Sequence, residues 1–329
     1  MRKAALVTVL LILASNTAWA QFTESDPLDS AGFSQERLGR IDSVINAEIA
    51  KGKIPGAVAL VARNGQLAYF KSFGFADIDA QTPMQKDNIF RLASMTKAIT
   101  SVGAMILYER GLFQLNDPVS KFIPEFADMT VVSEVDTNGD VSATVPATEQ
   151  IKIIDLFTHS SGISYPFASN NLQKTYVDAG VIDGLTSKDI TLAAQMELLA
   201  QQPLLFEPGS DYVYGLGLDL LGYLIEVVSG KSLELFFSEE IFTPLNMHDS
   251  YFYLPESKFN RLATLYSEVD EDQLTVSQGH ESNIILDNPR YPAGNGQSYF
   301  SGGAGVSSTA YDYARFIQML LNNGELDGS

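Results

Sequence analysis

The chain has 329 residues, of which 45% are hydrophobic, 10% aromatic and 19% charged, which excludes a disordered tail, a collagen-like repeat and a long coiled coil. Its 40 acidic residues against 21 basic ones give a net charge of −19, which argues against nucleic-acid binding. The absence of cysteine removes disulfides, thiolate nucleophiles and thiolate zinc sites, and the three histidines, His159, His248 and His280, are too far apart for a helix-borne metal pair.

The first twenty residues read as an address. Arg2 and Lys3, the apolar stretch from Ala4 to Ala14 and the small-x-small site Ala18-Trp19-Ala20 together make a secretory signal peptide over residues 1–20, cut before Gln21. The apolar stretch is too short to span a bilayer as a helix. The remainder, residues 21–329, is expected to be exported to the periplasm or the medium, with no stable membrane insertion.

Ser34 precedes a helical pattern with Leu38, Ile41, Ile45 and Ile49 on one face, closed by Gly52. Two apolar runs, 56–63 and 66–73, flank Asn64-Gly65 and predict a hairpin, because both turn residues tolerate positive φ. The first run is apolar on both faces, so this sheet is expected to be covered on both sides. Helices follow at Ser94 to Arg110, at Ile151 to Thr158, and along the stripe Leu218, Leu221, Leu224, Ile225 and Val228, stopped by Gly230. Thr309-x-x-Asp312 has the form of a capping box opening a helix with Tyr313, Phe316, Ile317, Leu320 and Leu321 inward, stopped by Gly324.

Two polar stretches interrupt this pattern. Val131 to Thr148 carries Asp136-Thr-Asn-Gly-Asp140, which starts like a calcium loop; Val141 and Ala147 then stand where the loop glycine and the bidentate glutamate belong. It reads as a β-turn in a surface insertion. Glu268 to Asp272 reads as a solvated acidic turn.

Several catalytic motifs fail. There is no Gly-x-Ser-x-Gly elbow, and Gly230-Lys231-Ser232 lacks the earlier glycine of a phosphate loop. Ser94-Met-Thr-Lys97 remains. Such a pair occurs about once per chain by chance, but here it opens a long apolar helix. Free N–H groups and the helix dipole favour developing negative charge at that end. Lys97 lies three residues on, over the same face, and a lysine desolvated there could accept the serine proton.

The segment Ile89-Phe-Arg-Leu-Ala-Ser94-Met-Thr-Lys97-Ala-Ile-Thr-Ser101 resembles the nucleophile helix of serine β-lactamase-related hydrolases, above all the family VIII carboxylesterases. Leu115-Asn-Asp-Pro-Val-Ser-Lys121, Asp155-Leu-Phe-Thr-His159-Ser-Ser-Gly162, Glu207-Pro-Gly209, Tyr214-Gly-Leu-Gly-Leu-Asp219 and Gly302-Gly-Ala-Gly305-Val-Ser-Ser308 are similar to its later signatures, in order. The resemblance runs from about Phe33 to Gly328. It implies a β-lactamase/transpeptidase-like fold of the α/β (α+β) type, an antiparallel sheet with flanking helices plus a mainly helical lobe.

By the same resemblance, residues 21–84 and 324–329 belong to the α/β lobe and residues 85–323 to the helical one. The implied catalytic residues are Ser94, Lys97 and Tyr214, working through an acyl-enzyme on a small ester or amide, with no metal or cofactor. Whether Lys97 or Tyr214 is the base stays open at this point. Many relatives read Tyr-x-Asn where this chain has Tyr214-Gly-Leu216. The missing amide favours a carboxylesterase on short-chain esters over a β-lactamase, a D-alanyl-D-alanine carboxypeptidase or a D-aminopeptidase. A non-catalytic penicillin-binding-like homologue is the alternative from another class. His159 is expected to be a buried hydrogen-bonding residue, Asp219 a structural or capping residue, and the glycines at 302–305 sites of close backbone approach. The family's third box, on a late strand that supplies an oxyanion-hole N–H, does not occur before Ser329. On this reading the chain is C-terminally incomplete.

Overall fold

A computed structural model describes residues 32–329 apart from 187, 271–272, 278–290 and 294–297. The expected signal peptide and His280 lie outside the described residues, as does the end of the acidic run. Helix α1 (Gln35–Ala50) begins where Ser34, in extended backbone, accepts the Arg37 N–H on its hydroxyl at 3.4 Å. Strands β1 (Gly56–Arg63) and β2 (Gln66–Asp77) form the antiparallel hairpin, with Asn64 at φ 53° and Gly65 at φ 75° in the turn. A short β3 (Thr82–Pro83) pairs with β2, so β1 is an edge of the β1-β2-β3 sheet.

The β1 residues from Gly56 to Ala62 are all half-buried. Helix α1 packs on β2, and the last helix of the chain packs on β1.

Strand β4 (Phe90–Arg91) leads into a 3₁₀ turn at Ala93–Met95 and then α2 (Thr96–Glu109), so the single helix expected from Ser94 is split at its first turn. A second hairpin, β5 (Thr130–Val135) and β6 (Val141–Pro146), contains the polar insertion. The Asp136 carboxylate closes its turn by accepting the N–H groups of Asn138 at 2.8 Å and Asp140 at 3.0 Å. Helix α3 (Ile153–Thr158) is capped by Asp155, which accepts the Lys152 N–H at 2.8 Å.

Helices α4 (Gln173–Ala179), α5 (Leu192–Leu199), α6 (Gly217–Ser229) and α7 (Leu233–Phe237) follow. Strands β7 (Tyr266–Asp270) and β8 (Gln273–Val276) form a hairpin, and β9 (Ser307–Ser308) returns to pair with β4. The main core surrounds α6, whose Leu220, Leu221, Leu224 and Ile225 are fully buried and which packs against α2, α3, α5 and α7. The driving force is the removal of these side chains from water.

Helix α8 (Ala310–Leu321) departs from the sequence reading in two ways. Thr309 accepts the Asp312 N–H at 3.1 Å, but Asp312 does not return the cap. Its carboxylate instead accepts from the Asp249 N–H at 2.7 Å and the Ser250 hydroxyl at 3.1 Å. The buried residues are Asp312, Arg315, Phe316, Gln318 and Met319, whereas Ile317, Leu320 and Leu321 are 44%, 46% and 71% exposed. Arg315 can face inward because it donates to the Leu245 carbonyl and pairs with Asp327.

Candidate active site

The turn that carries Ser94 is held from both sides. The Leu92 N–H donates to the Val306 carbonyl at 2.9 Å, and the Val306 N–H donates to the buried Thr96 hydroxyl at 3.1 Å. Between these ties Ala93 takes a left-handed φ of 45°, uncommon for a residue with a β-carbon. Ser94 emerges exposed at the foot of α2, and Lys97 lies half-buried one turn along it.

Tyr214 arrives from a different part of the chain. Its segment runs beside 162–164 so closely that a β-carbon at Gly215 would collide with the Ile163 carbonyl. This is a position where glycine is required by close approach. The Val213 N–H donates to the His159 carbonyl at 2.9 Å and fixes the segment further.

These elements bring the three expected side chains together. Ser94 Oγ lies 2.6 Å from Tyr214 Oη, with either hydroxyl able to donate. Lys97 Nζ donates to Ser94 Oγ at 3.1 Å and to the Gly303 carbonyl at 2.8 Å. The ammonium also stands 4.7 Å from the Tyr214 ring centre and 5.6 Å from that of Tyr165. A hydroxyl thus sits between a phenol and an amine, each placed to take or return a proton.

His159 is not part of this triad. It is half-buried rather than buried, in left-handed backbone at φ 56°, and its Nδ1 accepts the Gly215 N–H at 3.4 Å. Burial, and then the Lys97 charge, push its imidazole down to about 4, so it is neutral near pH 7. Its ring packs 4.7 Å from that of Tyr214 and orients the phenol.

Of the two roles expected of Asp219, structural or capping, it takes the structural one, since no side chain caps α6. Asp219 is fully buried, and its Oδ1 accepts the Ser301 hydroxyl at 2.5 Å. The close-approach role expected of the late glycines holds. A β-carbon at Gly302 would collide with the Leu218 carbonyl, and one at Gly303 with Asp219 Oδ2.

Sequence reasoning missed Tyr165 and Asp183. Tyr165 stacks on Phe167 with ring centres 4.6 Å apart and faces Tyr214 at 5.4 Å. Asp183 is buried with neither carboxylate oxygen hydrogen-bonded, and burial pushes it up to about 7 against the pull of the Phe167 amide. Neither lies in a motif with catalytic spacing; an acid in the apolar run Val181-Ile-Asp-Gly-Leu185 was the available signal. No cluster of three metal-binding side chains occurs among the described residues.

The family model described as Beta-lactamase matches residues 41–329. Esterase EstB of Burkholderia gladioli is 31% identical over 312 residues, covering 90% of this chain and 74% of that protein. Protein Rv1367c of Mycobacterium tuberculosis is 34% identical over 278 residues, covering 84% of this chain, and the chain spans 65% of that relative's length. Among solved structures, EstCE1, a hydrolase with promiscuous acyltransferase activity, superposes with a TM-score of 0.75 at 30% identity, over 89% of this chain and 74% of that one.

Proposed function

This chain belongs to the Beta-lactamase family, and from that premise we propose that it is a serine hydrolase acting through an acyl-enzyme, a carboxylesterase on short-chain esters. The observation that carries the reading is the contact of Ser94 Oγ with both Tyr214 Oη, at 2.6 Å, and Lys97 Nζ, at 3.1 Å. In the first step Ser94 Oγ bonds to the ester carbonyl carbon and its proton passes into the Tyr214–Lys97 pair. The carbon–oxygen bond to the alcohol then breaks, and the departing alkoxide takes that proton. Water attacks the acyl-enzyme by the reverse route, releasing the acid and returning the proton to Ser94.

Tyr214 bridges more directly than Lys97, whose second bond to Gly303 holds it in place. The relatives named as esterases and the absence of an amide side chain at Leu216 support the ester over the β-lactam. Export to the periplasm or the medium is part of the same proposal and rests on residues 1–20. No helix among the described residues is long and apolar enough to cross a membrane.

The test is hydrolysis of a short-chain nitrophenyl ester beside a chromogenic cephalosporin. Ser94→Ala is expected to lower ester kcat by about a thousandfold or more. Turnover retained in Ser94→Ala overturns the nucleophile, and a faster cephalosporin than ester reaction overturns the substrate class.

A further inference from the structure

Lys97 does not hold its position through its own helix alone. Its second hydrogen bond is to the Gly303 carbonyl at 2.8 Å, and that carbonyl belongs to a turn with its own anchor. The Ala304 N–H donates to Ser301 Oγ at 3.0 Å, and Ser301 Oγ donates to Asp219 Oδ1 at 2.5 Å. Thr100, one turn beyond Lys97 on α2, donates to the Gly302 carbonyl at 2.6 Å. The turn is therefore bonded on one side to α2 and on the other to the first turn of α6. Gly302 and Gly303 have no side chains because Leu218 and Asp219 occupy that space.

We propose that Asp219 is a positioning residue for Lys97, acting through Ser301 and the Gly302-Gly303-Ala304 turn, and that its negative charge offsets that of the lysine; the proposal rests on the hydrolase reading of the site. Asp219 is fully buried, and its Oδ2 has no hydrogen bond. Such a carboxylate is costly unless something compensates it. Burial pushes its carboxyl up; the Ser301 bond, the Lys97 charge and the Gly303 amide oppose this.

The other titratable groups around the acid are Tyr165, Tyr299, Tyr291 and Asp183, and each is held towards its neutral form by burial. His159 and Tyr214 complete the set around Lys97. Among these described neighbours Lys97 is the cation that faces Asp219. A cap would need a hydroxyl or carboxylate near the end of α6 and nothing else. A carboxylate bonded to the turn that holds the catalytic amine has a different purpose.

Asp219→Asn keeps a carbonyl oxygen for Ser301 and removes the charge. Ser301→Ala keeps the charge and cuts the relay. With the nitrophenyl ester, Asp219→Asn is expected to lower kcat by about tenfold to a hundredfold with KM little changed, as a displaced catalytic group does. The acid limb of its pH–rate profile is expected to move to lower pH by about one unit, because the protonated site loses the anion that favours it. Ser301→Ala lowers kcat in the same direction and leaves that limb within about half a unit of the wild type.

A folded Asp219→Asn with an unmoved limb overturns the proposal. Should Asp219→Asn not fold, an unchanged kcat in Ser301→Ala overturns it, and a lowered kcat at constant KM supports it. A wild-type chain that neither turns over esters nor takes a fluorophosphonate on Ser94 overturns the hydrolase reading, and the positioning role with it. A working wild type with unaffected variants overturns the positioning role alone.

Discussion

Asp183 and His159 are buried or half-buried groups whose protonation works against each other. Burial raises Asp183 from an ordinary 3.8 to about 7, so the unfolded chain gives up that proton first as pH rises. The resulting cost to stability is absent below about pH 4, grows between the two values and is constant above the higher one. His159, lowered from 6.5 to about 4, costs stability in the other direction, as pH falls through that interval. Asp183→Asn should therefore raise the melting temperature at pH 8 and give little gain at pH 4. Melts of both proteins at the two pH values decide this. An equal shift at each would show that the side chain acts through packing alone.

At the scale of elements, α8 tests how its faces are assigned. Phe316 is fully buried in the main core while Leu321 is 71% exposed, although the sequence pattern places both inward. Phe316→Ala should cost about 3–5 kcal/mol. Leu321→Ala should stay within about 0.5 kcal/mol. Urea unfolding of the two variants checks both, and a large loss at Leu321 would restore the sequence reading. What local chemistry determines was legible: the helix after Ser34, the Thr309 cap, the Asn64-Gly65 turn and the glycines that end helices. The rotation of α8 was not, because Arg315 and Asp312 face inward only by virtue of Leu245, Asp327, Asp249 and Ser250, none of them within the helix pattern. The pairing of β4 with β9 was also hidden, since two-residue strands have no period to read. The triad stood out because Ser94 and Lys97 share a helix turn, whereas Ser301 and Asp219 meet across 82 residues with no local sign.

Over the whole molecule, the acidic surface and the main core have different origins. The net charge of −19 makes contact with polyanions unfavourable, and the apolar stripes of α2 and α6 say where the chain closes on itself. The site lies where that core meets the late turn at Ser301 to Val306. It draws on α2, on the Tyr214 segment and on the glycine-rich turn together. The parts of the site also differ greatly in how far apart they lie along the chain. Lys97 and Ser94 are 3 residues apart, Ser94 and Tyr214 are 120 apart, and Lys97 and Gly303 are 206 apart. The first pair can meet as soon as one helical turn forms, while the others wait for long loops to close. On refolding from denaturant, helical circular dichroism should therefore recover before ester turnover does. A burst of turnover as early as the helix signal would mean that the long-range closures come first. The order in which this chain regains its parts is thus written in the spacing of three hydrogen bonds.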